Sequence, residues 1–278
     1  MDRLQLDKNA KLTGRVYFKD EVMWLGLSGS GASFTFDGTK LVLKLKGDNI
    51  AVGENPIDYA RIAVYVDGKR VVDEMIDCAE KEVTVIDHTE NAQSVVEIIK
   101  LSESPMSAVG VEAFTEGSAE ALPEKPLKIE FIGDSITCGY GVDDEDENHQ
   151  FTTATEDVTK AYAYKTAKAL DAEYSMFSAS GYGIVSGYTE GDEPISEQTI
   201  PQFYCSYGFS RGNFAGTAPQ DIPWDFSKYI PQIIVINLGT NDDSYCRDYE
   251  DKQAVFSKLY ADFLAVVREK NPQAYILC

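Results

Sequence analysis

The sequence predicts two joined domains: an all-β sandwich of jelly-roll type, then a parallel, doubly wound α/β domain. Three observations carry this. Residues 12 to about 118 repeat with a period of two. Leu41, Leu43 and Leu45 alternate with Val42, Lys44 and Lys46, and Ile62, Val64 and Val66 alternate with Ala63 and Tyr65. That period marks strands with one buried face. From Lys128 onward, short apolar runs alternate with helical patterns, as a parallel sheet requires. Between the two, residues 117–127 combine two prolines with small and charged residues and show no period, which reads as a linker. The expected division is a β domain over 1–118, a linker over 119–127 and an α/β domain over 128–278.

Taken in order, Asp37-Gly38 and Asp67-Gly68 read as hairpin turns between strands. Several short strands at this spacing suggest a sandwich or jelly roll. In the second half, strands are expected over 128–132, 173–178, 232–238 and 274–278. Helices are expected over 161–170 and 250–270, with Phe256, Tyr260, Phe263 and Val267 on one face of the second. Asn271-Pro272 then stops that helix. The final strand ends at Cys278, so the α/β domain reads as incomplete at its C-terminus, short of a further strand and covering helix.

Composition narrows the function. Acidic residues number 46 against 25 basic, a net charge of −21. Such a surface repels nucleic acid and anionic membranes and favours a neutral substrate. No run approaches the roughly 18 apolar residues of a membrane span, and Met1–Asp7 has no apolar stretch of the kind a secretory leader carries. Five scattered cysteines, an odd number, fit reduced thiols better than a disulfide framework. A cytoplasmic location is expected.

Three strand ends carry candidate chemistry. Lys128–Ile132 runs into Gly133-Asp134-Ser135, which places a serine at the carboxyl end of a strand, where open α/β sheets build their sites. Ser135 would open a helix or turn, whose N–H groups favour a developing anion, with Asp134 as its turn or cap residue. The next strand ends in Ser178-Ala179-Ser180-Gly181-Tyr182-Gly183. This is either a plain strand-to-helix loop or a place where Gly181 offers a bare backbone N–H. The third ends in Gly239-Thr240-Asn241-Asp242, where Asn241 either caps the next segment or donates its amide to an oxyanion. A hydroxyl nucleophile beside such donors points to acyl transfer.

These residues resemble the SGNH hydrolases, with Gly133-Asp134-Ser135, Gly181 and Gly239-Thr240-Asn241-Asp242 matching the first three blocks of that family. The run Gly133–Gly141, Trp224-Asp225-Phe226-Ser227 and Ile236–Asp242 look most like family 2 carbohydrate esterases. That resemblance covers nearly the whole chain, including a jelly roll placed before a flavodoxin-like SGNH domain. It implies a serine esterase that removes acetyl groups from plant polysaccharides or oligosaccharides such as xylan and glucomannan. Ser135 would be the nucleophile. The N–H groups of Ser135 and Gly181 and the amide of Asn241 would form the oxyanion hole, with Asp134 and Asp242 in support. No metal or organic cofactor is called for. Two alternatives stand beside it: an SGNH lipase or thioesterase for longer acyl chains, and a non-catalytic carbohydrate-binding protein of the same fold.

The family's catalytic histidine lies late in the domain, and this chain has only His88 and His149. His88, in the β half, reads as a surface or packing residue. His149 ends the acidic run Asp143–Asn148, which reads as a solvated loop. Its partial calcium pattern lacks the glycine and glutamate of an EF-hand. The expected base therefore lies beyond Cys278. Cys138 reads as a buried packing residue. The aromatic segment 190–225 reads equally as a binding wall or as loop packing.

Overall fold

The computed structural model describes residues 1–278. The N-terminal half comprises β1 (Asp2–Leu4), the single-turn helix α1 (Leu6–Asn9), β2 (Lys11–Thr13), β3 (Val16–Lys19), β4 (Val22–Leu25), β5 (Gly31–Gly47), β6 (Ala60–Val66), β7 (Lys69–Ile76), β8 (Glu80–Lys100) and β9 (Val109–Ala121). The strands form one sheet in the order β3-β4-β9-β5-β8-β6-β7, with β1 on β9 and β2 on β5. It encloses a core that includes Phe34, Phe36, Leu41, Leu43, Leu45, Ile62 and Val64. The alternation along β5 thus does what its period implies.

Three local expectations need correction. Asp37-Gly38 is not a hairpin turn. It lies inside β5, which runs straight through it with a register shift between Gly38 and Lys40. A Cβ on Gly38 would meet the Glu116 carbonyl at 2.4 Å, so the glycine lets β5 and β9 approach closely rather than reverse. Asp67-Gly68 is a true turn between β6 and β7, with φ of 50° and 78°, as a primed hairpin turn demands. The linker also starts later than expected, because residues 119–121 pair with Phe34–Phe36 as the end of β9. Finally, β6 is buried on both faces: Ile62 and Val64 enter the sandwich core, while Ala63 and Tyr65 pack on the α/β domain.

The C-terminal half comprises β10 (Lys128–Gly133), the short helix α2 (Ser135–Cys138), α3 (Tyr162–Ala169), β11 (Glu173–Ser178), β12 (Ile233–Asn237), α4 (Thr240–Cys246), α5 (Glu250–Lys270) and β13 (Tyr275–Leu277). Its four strands are all parallel, in the order β11-β10-β12-β13. The first strand in sequence is central, and its neighbours leave it in opposite directions. The gap between β10 and β12 is therefore a topological switch point, where such sheets bind ligands. Strand β13 is an edge, with Tyr275 77% and Leu277 56% exposed.

The halves are welded together. Ile99 and Leu101 of the β half share a core with Ile129, Phe131 and Ala163, and Trp24 stacks on Phe214 at 4.6 Å. Arg15, fully buried, pairs with Glu130 of β10 at 3.2 Å and donates to the carbonyls of Tyr204 and Ser206. Its guanidinium lies 4.4 Å from the centre of the Phe177 ring.

Candidate active site

The strand register aligns the three candidate turns. Gly133 sits opposite both Ser178 of β11 and Asn237 of β12. Ser135, Gly181 and Asn241 thus follow a single row across the carboxyl edge of the sheet, two, three and four residues past it. Ser135 and Asn241 flank the switch point, and Gly181 lies one strand over, past β11.

Ser135 is the first residue of α2. Asp134 is its N-cap, accepting the Ile136 N–H on Oδ1 at 3.0 Å. Burial, with the nearby charge of Asp242, pushes the Asp134 carboxyl up from its ordinary range. The turn is tight: a Cβ on Gly133 would lie 2.0 Å from Thr137 Oγ1. Gly139 then closes the helix with φ of 83°, against the Asp157 carbonyl. The half-exposed Ser135 hydroxyl makes no hydrogen bond to another side chain.

Gly181 has φ of +79°, a region that suits glycine. Its carbonyl accepts the Tyr188 N–H at 2.8 Å, while its own N–H has no acceptor in the chain. Asp242 holds the rest of that loop. Its buried carboxylate accepts the N–H groups of Ile184, Val185 and Ser186 at 2.6 to 3.1 Å. Asn241, 7% exposed, donates from Nδ2 to the Tyr182 carbonyl at 2.8 Å. The second and third candidate turns are therefore hydrogen-bonded to each other beside the serine.

Neither histidine is hydrogen-bonded to this row. His88 is exposed on β8. His149 is exposed, and its Nδ1 pairs with Asp144 at 2.8 Å. The acidic loop satisfies itself: Asp144 and Asp146 accept the N–H groups of Asp146 and Asn148. This loop, with Tyr140 stacked on Phe151 at 3.8 Å, lines a cleft of about 650 Å³. Cys138 is buried, its thiol pushed well up by burial and by neighbouring carboxylates, which suits packing rather than nucleophilic attack. Most of the aromatic segment is packing too. Tyr204, Tyr207, Phe209 and Phe214 are buried, whereas Arg211 is exposed and Phe203 and Trp224 are partly so.

One group escaped the sequence reading. Glu103, in the β8–β9 connection, and Glu156 are fully buried next to Lys100 and Cys138. Neither carboxylate falls in a periodic segment or a recognisable motif, so only the folded contacts reveal them.

Comparison with known proteins agrees with this architecture. Residues 12–126 match the model of the carbohydrate esterase 2 N-terminal domain, and residues 131–278 match that of the GDSL-like lipase/acylhydrolase family. A cellulase/esterase (CelE) of Acetivibrio thermocellus is 32% identical over 254 residues, 90% of this chain but only 28% of that protein. An acetylxylan esterase/glucomannan deacetylase of Cellvibrio japonicus is 28% identical, covering 98% of this chain and 71% of its own length. Among solved structures, a family two carbohydrate esterase from Clostridium thermocellum in complex with cellohexaose superposes with a TM-score of 0.78 at 28% identity, covering 96% of this chain and 76% of that one. The resemblance to SGNH hydrolases and family 2 carbohydrate esterases is thereby borne out. With its second family model matching more than half the residues, this chain belongs to the GDSL-like lipase/acylhydrolase family, preceded by the N-terminal domain characteristic of family 2 carbohydrate esterases.

Proposed function

We propose that the chain is a serine esterase that removes acetyl groups from neutral plant-type polysaccharides or oligosaccharides, xylan and glucomannan among them. The observation that carries this reading is the register row. It sets a free hydroxyl (Ser135), an unpartnered N–H (Gly181) and a side-chain amide (Asn241) along the carboxyl edge of the sheet. The printed activities of the relatives supply the substrate class.

Ser135 Oγ attacks the acetyl carbonyl and gives its proton to a base. The N–H groups of Ser135 and Gly181 and the Asn241 amide stabilise the oxyanion. The sugar oxygen leaves with that proton, and water then splits the acetyl-enzyme to acetate. We take that base to be a histidine, as the family resemblance implies; of the two present, His149 is engaged by Asp144 and His88 is exposed in the β half. We also read the N-terminal sheet as a jelly roll, from the long, bulged strands β5, β8 and β9 that wrap its core. We also read the protein as cytoplasmic, a location that suits its five unpaired cysteines; cell fractionation tests this separately.

The test of function is a panel of esters from acetyl to octanoyl, together with acetylated xylan and glucomannan oligosaccharides. Acetyl turnover that exceeds the longer chains and disappears in Ser135→Ala is the expected result. A preference for octanoyl would favour the lipase reading. Oligosaccharide binding with no Ser135-dependent turnover would favour a binding protein.

A further inference from the structure

We propose that Glu103, supplied by the β domain, is a positioning residue that fixes the oxyanion loop of the α/β domain. The inference rests on the reading of Ser135 and Gly181 given above. Glu103 Oε2 accepts the backbone N–H of Ser180 at 2.6 Å. Ser180 immediately precedes Gly181, so this bond fixes the Ala179–Ser180 peptide, one plane before the Ser180–Gly181 peptide that carries the glycine N–H. Asp242 grips the same loop from its other end, at Ile184 to Ser186. Gly181 is thus held between two buried carboxylates, one from each domain.

Glu103 is itself locked in place. Its N–H donates to Glu156 Oε2 at 3.0 Å, and its carbonyl accepts from Lys100 Nζ at 3.0 Å. The same connection reaches α2: the Leu101 carbonyl accepts the Val158 N–H, and the Asp157 N–H donates to Gly139, the residue that closes α2. Cys138 Sγ donates to Ser178 Oγ at 3.3 Å and lies 3.9 Å from Glu103 Oε2. One connection of the β sandwich therefore touches both the serine turn and the glycine turn.

Burying Glu103 and Glu156 is costly. The fully buried Lys100 ammonium offsets one negative charge, and burial pushes the Glu156 carboxyl well above its ordinary value. Burial also raises the Glu103 carboxyl, and in either charge state its Oε2 is the acceptor that faces the Ser180 N–H. Such an expensive arrangement behind an oxyanion loop has a consequence for rate, because a donor misplaced by about 1 Å can cost roughly 10²-fold.

The test compares Glu103→Gln with Glu103→Met in the full gene product. Both replacements fill a similar volume, but only Gln keeps an acceptor for the Ser180 N–H. Kinetics with an acetyl aryl ester should show Met lowering kcat by roughly 10- to 100-fold with KM changed less than about twofold, and Gln recovering most of that loss. Amide exchange at Ser180, read by NMR without substrate, should quicken in the Met variant and stay slow in the Gln variant. This second reading needs no turnover. Wild-type kcat and exchange in the Met variant would overturn the proposal, as would equal impairment by Gln and Met. Equal turnover by wild type and Ser135→Ala would instead strike the nucleophile assignment, leaving amide exchange to decide the anchor alone.

Discussion

Asn241 commits one of its two amide hydrogens to the Tyr182 carbonyl, and the proposed oxyanion role would use the other. Replacing it by alanine should lower kcat by roughly 10²–10³. A stopped assay on acetylated oligosaccharide measures this, and an unchanged rate would assign the residue to loop support alone. Glu156 gives a prediction of another kind. Burial, first, and the charge of Glu103, second, raise its pKa in the folded state, against the opposing charges of Lys100 and Arg61. As pH rises above its ordinary value of 4.5, the unfolded chain loses this proton while the folded one keeps it. The folded state is therefore penalised progressively until pH passes the folded pKa. In Glu156→Gln that penalty is absent, and the amide oxygen can still accept the Glu103 N–H. The stability of the variant relative to wild type should climb as pH rises from about 4.5 in urea titrations. A difference independent of pH would mean that Glu156 titrates alike in the folded and the unfolded chain.

At the scale of elements, the sequence was most readable where local signals suffice. Helix α5 occupies the segment its apolar face predicts, and β11 has the expected bounds, because period and flanking breakers are local properties. Asp37-Gly38 was misread because the same dipeptide serves a turn or a close strand crossing, and only β9 on the other side decides which. The buried charges Arg15, Glu103 and Glu156 were invisible for the same reason: their partners lie 115, 77 and 53 residues away. The β10–α2 junction shows how tightly an element can constrain chemistry. In Gly133→Ala the new methyl would meet Thr137 Oγ1 at 2.0 Å and Thr137 Cβ at 2.8 Å. A turn this short cannot absorb that without moving Ser135. The variant should lose about 1–3 kcal/mol of stability along with most turnover. Adding Thr137→Ala should return part of both, a coupling that a double-mutant cycle measures. Additive losses would show that the clash lies elsewhere.

At the scale of the whole molecule, the two halves should behave as one thermodynamic unit. Three features argue for this. Hydrophobic clusters cross the boundary at Ala63–Phe131 and at Trp24–Phe214. Arg15 of the β half is the buried partner of Glu130 in the central strand of the other sheet. The oxyanion loop is anchored across the same boundary by Glu103. Breaking one such link should therefore loosen the entire fold. Arg15→Ala leaves the Glu130 carboxylate buried with only the Tyr204 hydroxyl and costs about 3–5 kcal/mol. The chain carries its own reporters for the stronger claim, because it has only two tryptophans, Trp24 on β4 and Trp224 in the loop before β12. Trp24 is buried against Phe214, and Trp224 lies 5.2 Å from the Arg15 guanidinium. In Trp224→Phe the fluorescence reports the β half, and in Trp24→Phe it reports the α/β half. Each variant has its own stability, so each fluorescence midpoint in urea is compared with the far-UV dichroism midpoint of that same variant. Coincidence in both is the expected outcome for a single cooperative transition. If the fluorescence of Trp24 changed well before or after the dichroism of the same chain, the sandwich would be unfolding on its own, and it would be an independent module rather than a structural part of the catalytic domain.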